Sequence, residues 1–321
     1  MAEGSPEPFP AVDLAGLRTR PFRARPARVH AADLGRPVDP PPDVERLLEG
    51  LPRLLAAEDL RVVVRAWAGA VRRRAGAVVM AGGHVVKAGC GPFLADLIAR
   101  GAVSHLALNG AAAIHDVELA LLGATSEDVA ENLADGSFGA ADETGRAFAR
   151  AFAAAEGRGA GEALGRLLEE EAAPGRGSSL LAACWRTRVP VTVHVAIGAE
   201  ITHQHPACDA AAVGETSHRD FRVLAHSVGE LRDGGVVLNL GSAVILPEVF
   251  LKALSVARNL GRPARGFTAV DVDMLRHYRP AANVVGRPVL AGGRGIHLTG
   301  HHEILIPILY YAVRAALEGE G

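Results

Sequence analysis

From residue 77 the chain alternates between two kinds of apolar pattern. Short, nearly unbroken apolar runs, AVVMA (77–81), SHLALN (104–109), VPVTVHVAIG (189–198), GVVLNLG (235–241) and PARGFTAVDV (263–272), have the length and β-branched content of buried strands. Between them lie stretches with helical spacing: PFLADLIARG (92–101), AAIHDVELALLG (112–123), SHRDFRVLAHSVGELRDG (217–234) and PEVFLKALSVARNLG (247–261). Several of these open on Pro or close on Gly, the usual punctuation of helix ends. Val44 to Arg74 also has helical spacing, with Arg72, Arg73 and Arg74 as a solvated end. Strands alternating with helices predict an α/β fold: a doubly wound, mostly parallel, Rossmann-like sheet covered on both faces.

Two regions interrupt this grammar. Residues 1–45, ending in the proline-rich GRPVDPPPDVE, predict an extended N-terminal arm lying on the surface or on a neighbouring subunit. Residues 46–321 then form a single α/β domain, with a helical insertion at about 124–180 that contains FGAADETGRAFARAFAAAEG and APGRGSS.

Composition narrows the function classes. With 49% hydrophobic and 22% charged residues and a formal net charge of -2, nothing calls for nucleic acid or an anionic membrane surface. Cys90, Cys184 and Cys208 are too few and too scattered for a disulfide framework or a CxxC zinc pair. The start MAEGSPEPFPAVDLAG lacks a basic, apolar leader, and no apolar run suits a membrane span, so the expected location is cytoplasmic. Among 34 basic side chains only Lys87 and Lys252 are lysines. Lysine can lose its proton and arginine in effect cannot, so both positions matter.

In a parallel sheet, ligands gather at the carboxyl ends of the strands. Three predicted strand ends carry small residues followed by polar ones: GGHVVKAGCG, NGAAAIHD and LGSAV. Glycine there frees backbone amides for an anion, or simply turns the chain tightly; both accounts stay open, and no GxGxxG fingerprint is present. Lys87 lies in the first turn, where it would hold an anionic group, form an imine, or sit on the surface. Lys252, on a regular helix, suits a solvated position. His115 and Glu118 fall on one helical face while Asp116 points elsewhere, so one carboxylate can orient the imidazole and the other can cap a helix. The stretch EITHQHPACDAAAVGETSHRD (200–220) reads as a polar loop. Its His203, His205 and Glu215 are candidates for proton transfer; with Cys208 or Asp209, the two histidines are an alternative zinc set for metal-assisted hydrolysis. His297, His301 and His302 in GGRGIHLTGHHEILIPIL approach the same site or cap the last helix.

Over about residues 77–275 the chain resembles the deoxyhypusine synthase-like superfamily of NAD-binding α/β proteins, on AVVMAGGHVVKAG, PFLADLIARGAVSHLALNGAA, VPVTVHVAIG and GVVLNLGSAVILPEV. AIHDVELALLGATSED is also similar to the His-Asp-x-Glu segment of the NAD-dependent ornithine cyclodeaminase group of that fold. The resemblance implies NAD contacts at Gly82, Gly83, Asn109, Gly110, Gly241 and Ser242. It implies an enzyme, transferase or deaminase in kind, acting on a small amine or amino acid through an imine, with Lys87, His115, Asp116, His203, His205 and Glu215 around the substrate. It further implies a homo-oligomer, a tetramer. One departure stands out: the family's imine-forming lysine ends a Gly-Gly-Gly-Val-Val-Lys segment, and here GSAVIL puts Leu246 in that place. A non-catalytic binding or assembly protein of the same fold is therefore a further alternative.

Overall fold

The computed structural model describes residues 14–24, 27–39, 41 and 43–319. Residues 1–13 of the predicted arm lie outside the described residues. In chain order the elements are β1 (Ala27–His30), α1 (Val44–Gly50), α2 (Leu55–Arg73), β2 (Ala77–Ala81), α3 (Gly83–Lys87), α4 (Gly91–Ala99), β3 (His105–Asn109), α5 (Gly110–Leu122) and β4 (Ala124–Glu127). There follow α6 (Val129–Leu133), α7 (Asp142–Ala153), α8 (Ala160–Glu170), α9 (Leu180–Thr187), β5 (Val191–His194), α10 (Ala210–Gly229) and β6 (Val236–Leu240). The chain finishes with α11 (Ile245–Asn259), β7 (Thr268–Asp273), α12 (Tyr278–Asn283), β8 (Arg294–Thr299) and α13 (His302–Glu318).

The main sheet has six strands in the order β5-β3-β2-β6-β7-β8, all parallel. Counted along the chain this is 3-2-1-4-5-6, the Rossmann order, with its topological switch point between β2 and β6. The expected α/β class is the one found. Alternation along each strand explains the unbroken apolar runs. Ala77, Val79 and Ala81 join a core with α2, α4, α5, α8, α9 and α13, whereas Val78 and Met80 join a second core with α10 and α11 on the opposite face.

Three local differences from the sequence reading bear on the site. The glycine-rich stretch after β2 winds into α3 instead of remaining a turn. The polar segment after β5 is a loop only as far as Cys208: Asp209 caps α10 by accepting from the amides of Ala211 and Ala212, and Val213, Thr216, Asp220, Leu224 and Val228 recur at helical spacing on its buried side. Lastly, Ala27–His30 pairs antiparallel with Ala124–Glu127, forming a small second sheet beside the carboxyl rim of the large one.

Candidate active site

A cavity of about 360 Å³ opens beyond the carboxyl ends of β2, β3 and β5. Its walls include Lys87 at the end of α3; Asn109, Ala111, Ile114, His115 and Glu118 from the start of α5; Ser126 and Glu127 from β4, with Val129 and Phe138 beyond it; Ala196, Ala199, Glu200 and Ile201 from the loop after β5; and Ile245 at the start of α11. This volume suits a small molecule. Lys87 and His115, far apart in sequence, thus share one wall system, and His203 touches it through Glu200. No single pocket-lining segment could have predicted that.

The α5 wall is built as its spacing implied. Asn109 caps the helix by accepting from the amide of Ala112, and Gly123 closes it in the left-handed region at φ 72°. Residues 111, 115 and 118 then fall on one side, so Ala111, His115 and Glu118 face the cavity together. His115 Nδ1 lies 2.8 Å from the Thr125 hydroxyl, and that hydroxyl donates to Glu118 Oε2 at 2.5 Å. Thr144 donates to the other Glu118 oxygen at 2.8 Å. Thr125 has one hydroxyl hydrogen, and it goes to Glu118, so the hydrogen between Thr125 and His115 belongs to the ring. His115 is thereby fixed with Nδ1 protonated and Nε2 as its basic nitrogen, and Glu118 stabilises a positive ring through Thr125.

Asp116 departs from its expected place. Its carboxylate is 3% exposed and receives hydrogen bonds from the Ser179 hydroxyl and the amides of Leu180 and Leu181, so it caps α9 from a neighbouring helix and does not line the cavity. Burial pushes its carboxyl upward and those three donors oppose the shift.

The segment after β5 sorts its residues differently from the expectation. Glu215 and His218 are exposed on α10, away from the cavity walls, because the segment is helical there. His205 is buried with its ring against Gly145 of α7 and its Nε2 3.4 Å from Asp142. His203 turns the other way, with Nδ1 3.2 Å from Glu200 Oε2. Asp209 is occupied as the α10 cap. The alternative zinc set is therefore not assembled: among the described residues no three His, Cys, Asp or Glu side chains come together in a metal-holding group. What the sequence reading missed is Glu200, which opens the polar segment three residues before His203 and lines the cavity itself. The isolated acid after a strand end is the only signal it left.

The six positions expected to contact a cofactor all border the rim, and packing gives most of them another duty. A Cβ on Gly82 would lie 2.1 Å from the Gly241 carbonyl oxygen, and one on Gly110 would lie 2.3 Å from Glu200 Oε1. Gly83 packs on Ala111, and Gly241, at φ 61°, on the His302 ring. The amides of Gly82 and Gly241 donate to Leu240 and Val272 carbonyls at 2.9 and 3.0 Å, so these bends offer a small profile and not free amides. Ser242 Oγ accepts from the Leu246 amide in the first turn of α11 at 3.2 Å. The histidines near the C-terminus sit over β7 and β8: His297 Nδ1 is 3.2 Å from Asp271, the exposed His301 stands at the N-cap position of α13 without a side-chain capping bond, and His302 Nε2 bonds the Val272 carbonyl at 3.1 Å. Leu246 fills the core shared with α10 and α11, turned from the cavity that its neighbour Ile245 lines.

No family model matches the chain, and no curated protein matches it. Solved structures do share its architecture. A conserved protein described as LOR/SDH, from Methanococcus maripaludis S2, superposes with a TM-score of 0.52 at 16% identity, over 87% of this chain and 74% of that one. AgrE, solved as a ternary complex with ornithine and NAD+, superposes with a TM-score of 0.50 at 16% identity. The match covers 80% of this chain but only 33% of AgrE, so the present chain corresponds to a part of that protein. A protein described as a deoxyhypusine synthase, from Entamoeba histolytica, gives 0.47 at 9% identity over 79% and 86% of the two chains, too loose a superposition to argue from. At these identities the likeness is one of fold, and the doubly wound α/β architecture is the one that the sequence resemblance implied.

Proposed function

We propose that this chain is a dinucleotide-linked enzyme that oxidises the C–N bond of a small amine or amino acid bound in the cavity between α3, α5, β4 and the loop after β5. The observation that carries this reading is the convergence of Lys87 with the His115–Thr125–Glu118 relay at the carboxyl rim of a 3-2-1-4-5-6 sheet, where such folds take their ligands. AgrE, bound to ornithine and NAD+ on the same fold, supports the choice of substrate class and cofactor.

The switch point between β2 and β6 would suit a dinucleotide on two counts. Its bends, Gly82–Gly83 and Gly241–Ser242, present no side chain larger than serine, and two buried polar atoms beside it, Asn239 Oδ1 and His302 Nδ1, have no hydrogen-bond partner in the structure. When bound, the dinucleotide supplies the acceptor for a hydride.

The chain's own groups do the rest. Lys87, half-buried at the mouth of α3 and without an ion pair among the described residues, holds the carboxylate of an amino acid. His115 Nε2 takes a proton from the substrate ammonium, so that the nitrogen lone pair is available as the hydride leaves carbon, and Glu118 balances the imidazolium through Thr125. Ile114, Ile201 and Ile245 line the rest of the cavity with apolar surface and exclude water. Because Leu246 is a core residue and Lys252 is an exposed partner of Glu248, Lys87 is the only lysine able to meet a substrate here.

The test is reduction of NAD+ by the purified protein when ornithine, lysine, arginine and short diamines are offered in turn. Formation of NADH with one of them is the expected result. Binding of NAD+ without reduction by any of them would favour the non-catalytic reading instead.

A further inference from the structure

Beside the start of β5, the edge strand of the main sheet, lies a second cavity of about 200 Å³, walled by the beginning of α8, the end of α9 and part of α10. It shares no wall residue with the active-site cavity, and the function proposed above makes no use of it. Asp220 of α10, only 1% exposed, is one of its walls. Both backbone amides that Asp220 receives, from Gly161 at 2.9 Å and Val193 at 2.7 Å, are bound by Oδ2. Among the described residues Oδ1 receives no hydrogen bond. A Cβ on Gly159 would lie 1.6 Å from Oδ1, so the glycine there leaves this oxygen its place on the cavity wall. A buried carboxyl oxygen without a donor is uncommon, since it has given up water and gained nothing in return.

The opening carries a cation of the chain's own. Arg188, which ends α9, holds its guanidinium carbon 5.4 Å from the centre of the Trp185 ring and Nη1 3.9 Å from Glu162 Oε1. Its side chain is 74% exposed, so it rests at the entrance and does not fill the cavity. An aromatic face beside a carboxylate is an arrangement that suits an organic cation. Val189, Pro190, Val191 and Val223 supply apolar wall for the rest of such a molecule.

We infer that this cavity binds a small organic cation, an alkylammonium or alkylguanidinium ion, whose head group donates to Asp220 Oδ1 and whose entry displaces Arg188 from Trp185 and Glu162. Other ligand classes fit less well. An anion would meet two carboxyl groups, Asp220 and Glu162. A metal ion finds too few ligands, since no three His, Cys, Asp or Glu side chains among the described residues form a metal-holding group. The Cys184 thiol on the same wall is kept protonated by burial and adds no charge. α9 also ends here, and the partial negative charge of a helix C-terminus favours a cation. None of this depends on the oxidation proposed above.

The chain has two tryptophans, and Trp67 is buried with its indole N–H on the Ala102 carbonyl, so Trp185 alone reports on the opening. Fluorine NMR of the full chain grown with 5-fluorotryptophan then shows two signals, and that of Trp185 is the one lost in Trp185→Phe. The titration is run at pH 9, because burial raises the Asp220 carboxyl to about 8 and it must be ionised to pair with a cation. Methylguanidinium chloride and butylammonium chloride are added in turn, with sodium chloride as the control. A saturable shift of the Trp185 signal with one organic cation or both, and none with sodium, is expected; the tighter of the two identifies the head group. Asp220→Asn keeps an oxygen for the two amides and turns an NH2 group to the cavity, so it should weaken binding about tenfold or more. Arg188→Ala, at an exposed position, removes the resident competitor and should tighten binding. No saturable shift with either organic cation would overturn the site. Unchanged affinity in Asp220→Asn, or binding in Arg188→Ala no tighter than in the natural chain, would overturn it equally.

Discussion

His115 shows how much one residue's role depends on atoms that its sequence neighbours do not supply. Its ring is oriented by Thr125, ten positions away on β4, and Thr125 in turn is satisfied by Glu118. Replacing His115 with Asn should lower NAD+ reduction by a factor of 100 or more while substrate still protects the protein from thermal unfolding, as removal of a base without removal of a binding wall requires. Thr125→Val, which keeps the shape and breaks the relay, should cost less, about tenfold, and shift the acidic limb of the pH profile, because the imidazolium loses its indirect partner. Steady-state rates across pH separate the two outcomes.

At the scale of elements, the site depends on how closely strand ends and helix starts can approach. Gly82 and Gly241 bring the ends of β2 and β6 into backbone contact, and the 2.1 Å that an added Cβ would leave to a carbonyl oxygen cannot be relieved by a rotamer change. Gly82→Ala should therefore destabilise the chain by about 1–3 kcal/mol, visible as a lower midpoint in thermal denaturation. Gly110→Ala collides with a carboxyl group instead of backbone, so its expected effect is displacement of Glu200 with a smaller loss of stability. β4 belongs to this scale as well. Its sequence, ATSE, carries no strand pattern, and Ser126 sits in the left-handed region at φ 65°; the strand forms because β1 pairs with it, and in doing so it brings Thr125 and Glu127 to the cavity.

Across the whole molecule, Asp220 ties α8 to β5 by accepting from the amides of Gly161 and Val193, and burial pushes its carboxyl from 3.8 up to about 8. The folded chain then holds a proton that the unfolded chain releases between those values. The stabilisation contributed by this group is full below about pH 4 and is lost as the pH rises to about 8, at up to about 1.4 kcal/mol per pH unit. Asp220→Asn should flatten that slope in urea titrations at several pH values; an unchanged slope would assign it to other groups. Large apolar side chains also stand exposed around the carboxyl rim, among them Ile197 at 74% and Leu275 at 65% in loops and Ile304 at 55% in the first turn of α13. We expect that rim to be covered in a homo-oligomer, a tetramer by the family resemblance, and light scattering that returns a monomer would refute this.

Periodicity alone determined the parallel sheet and nearly every strand of it, because residues buried on both faces leave unbroken apolar runs and their helices carry caps that read locally. It also placed His115 and Glu118 on one face, since helical spacing is a property of consecutive residues. Only the tertiary structure could decide that Asp116 caps a different helix, that His203 and His205 diverge, that Glu215 is exposed, and that Glu200 belongs to the cavity. Those outcomes are set by contacts between segments many residues apart, and the strength of a hydrogen bond or the cost of a buried charge depends on the partner met in space, which no local pattern encodes.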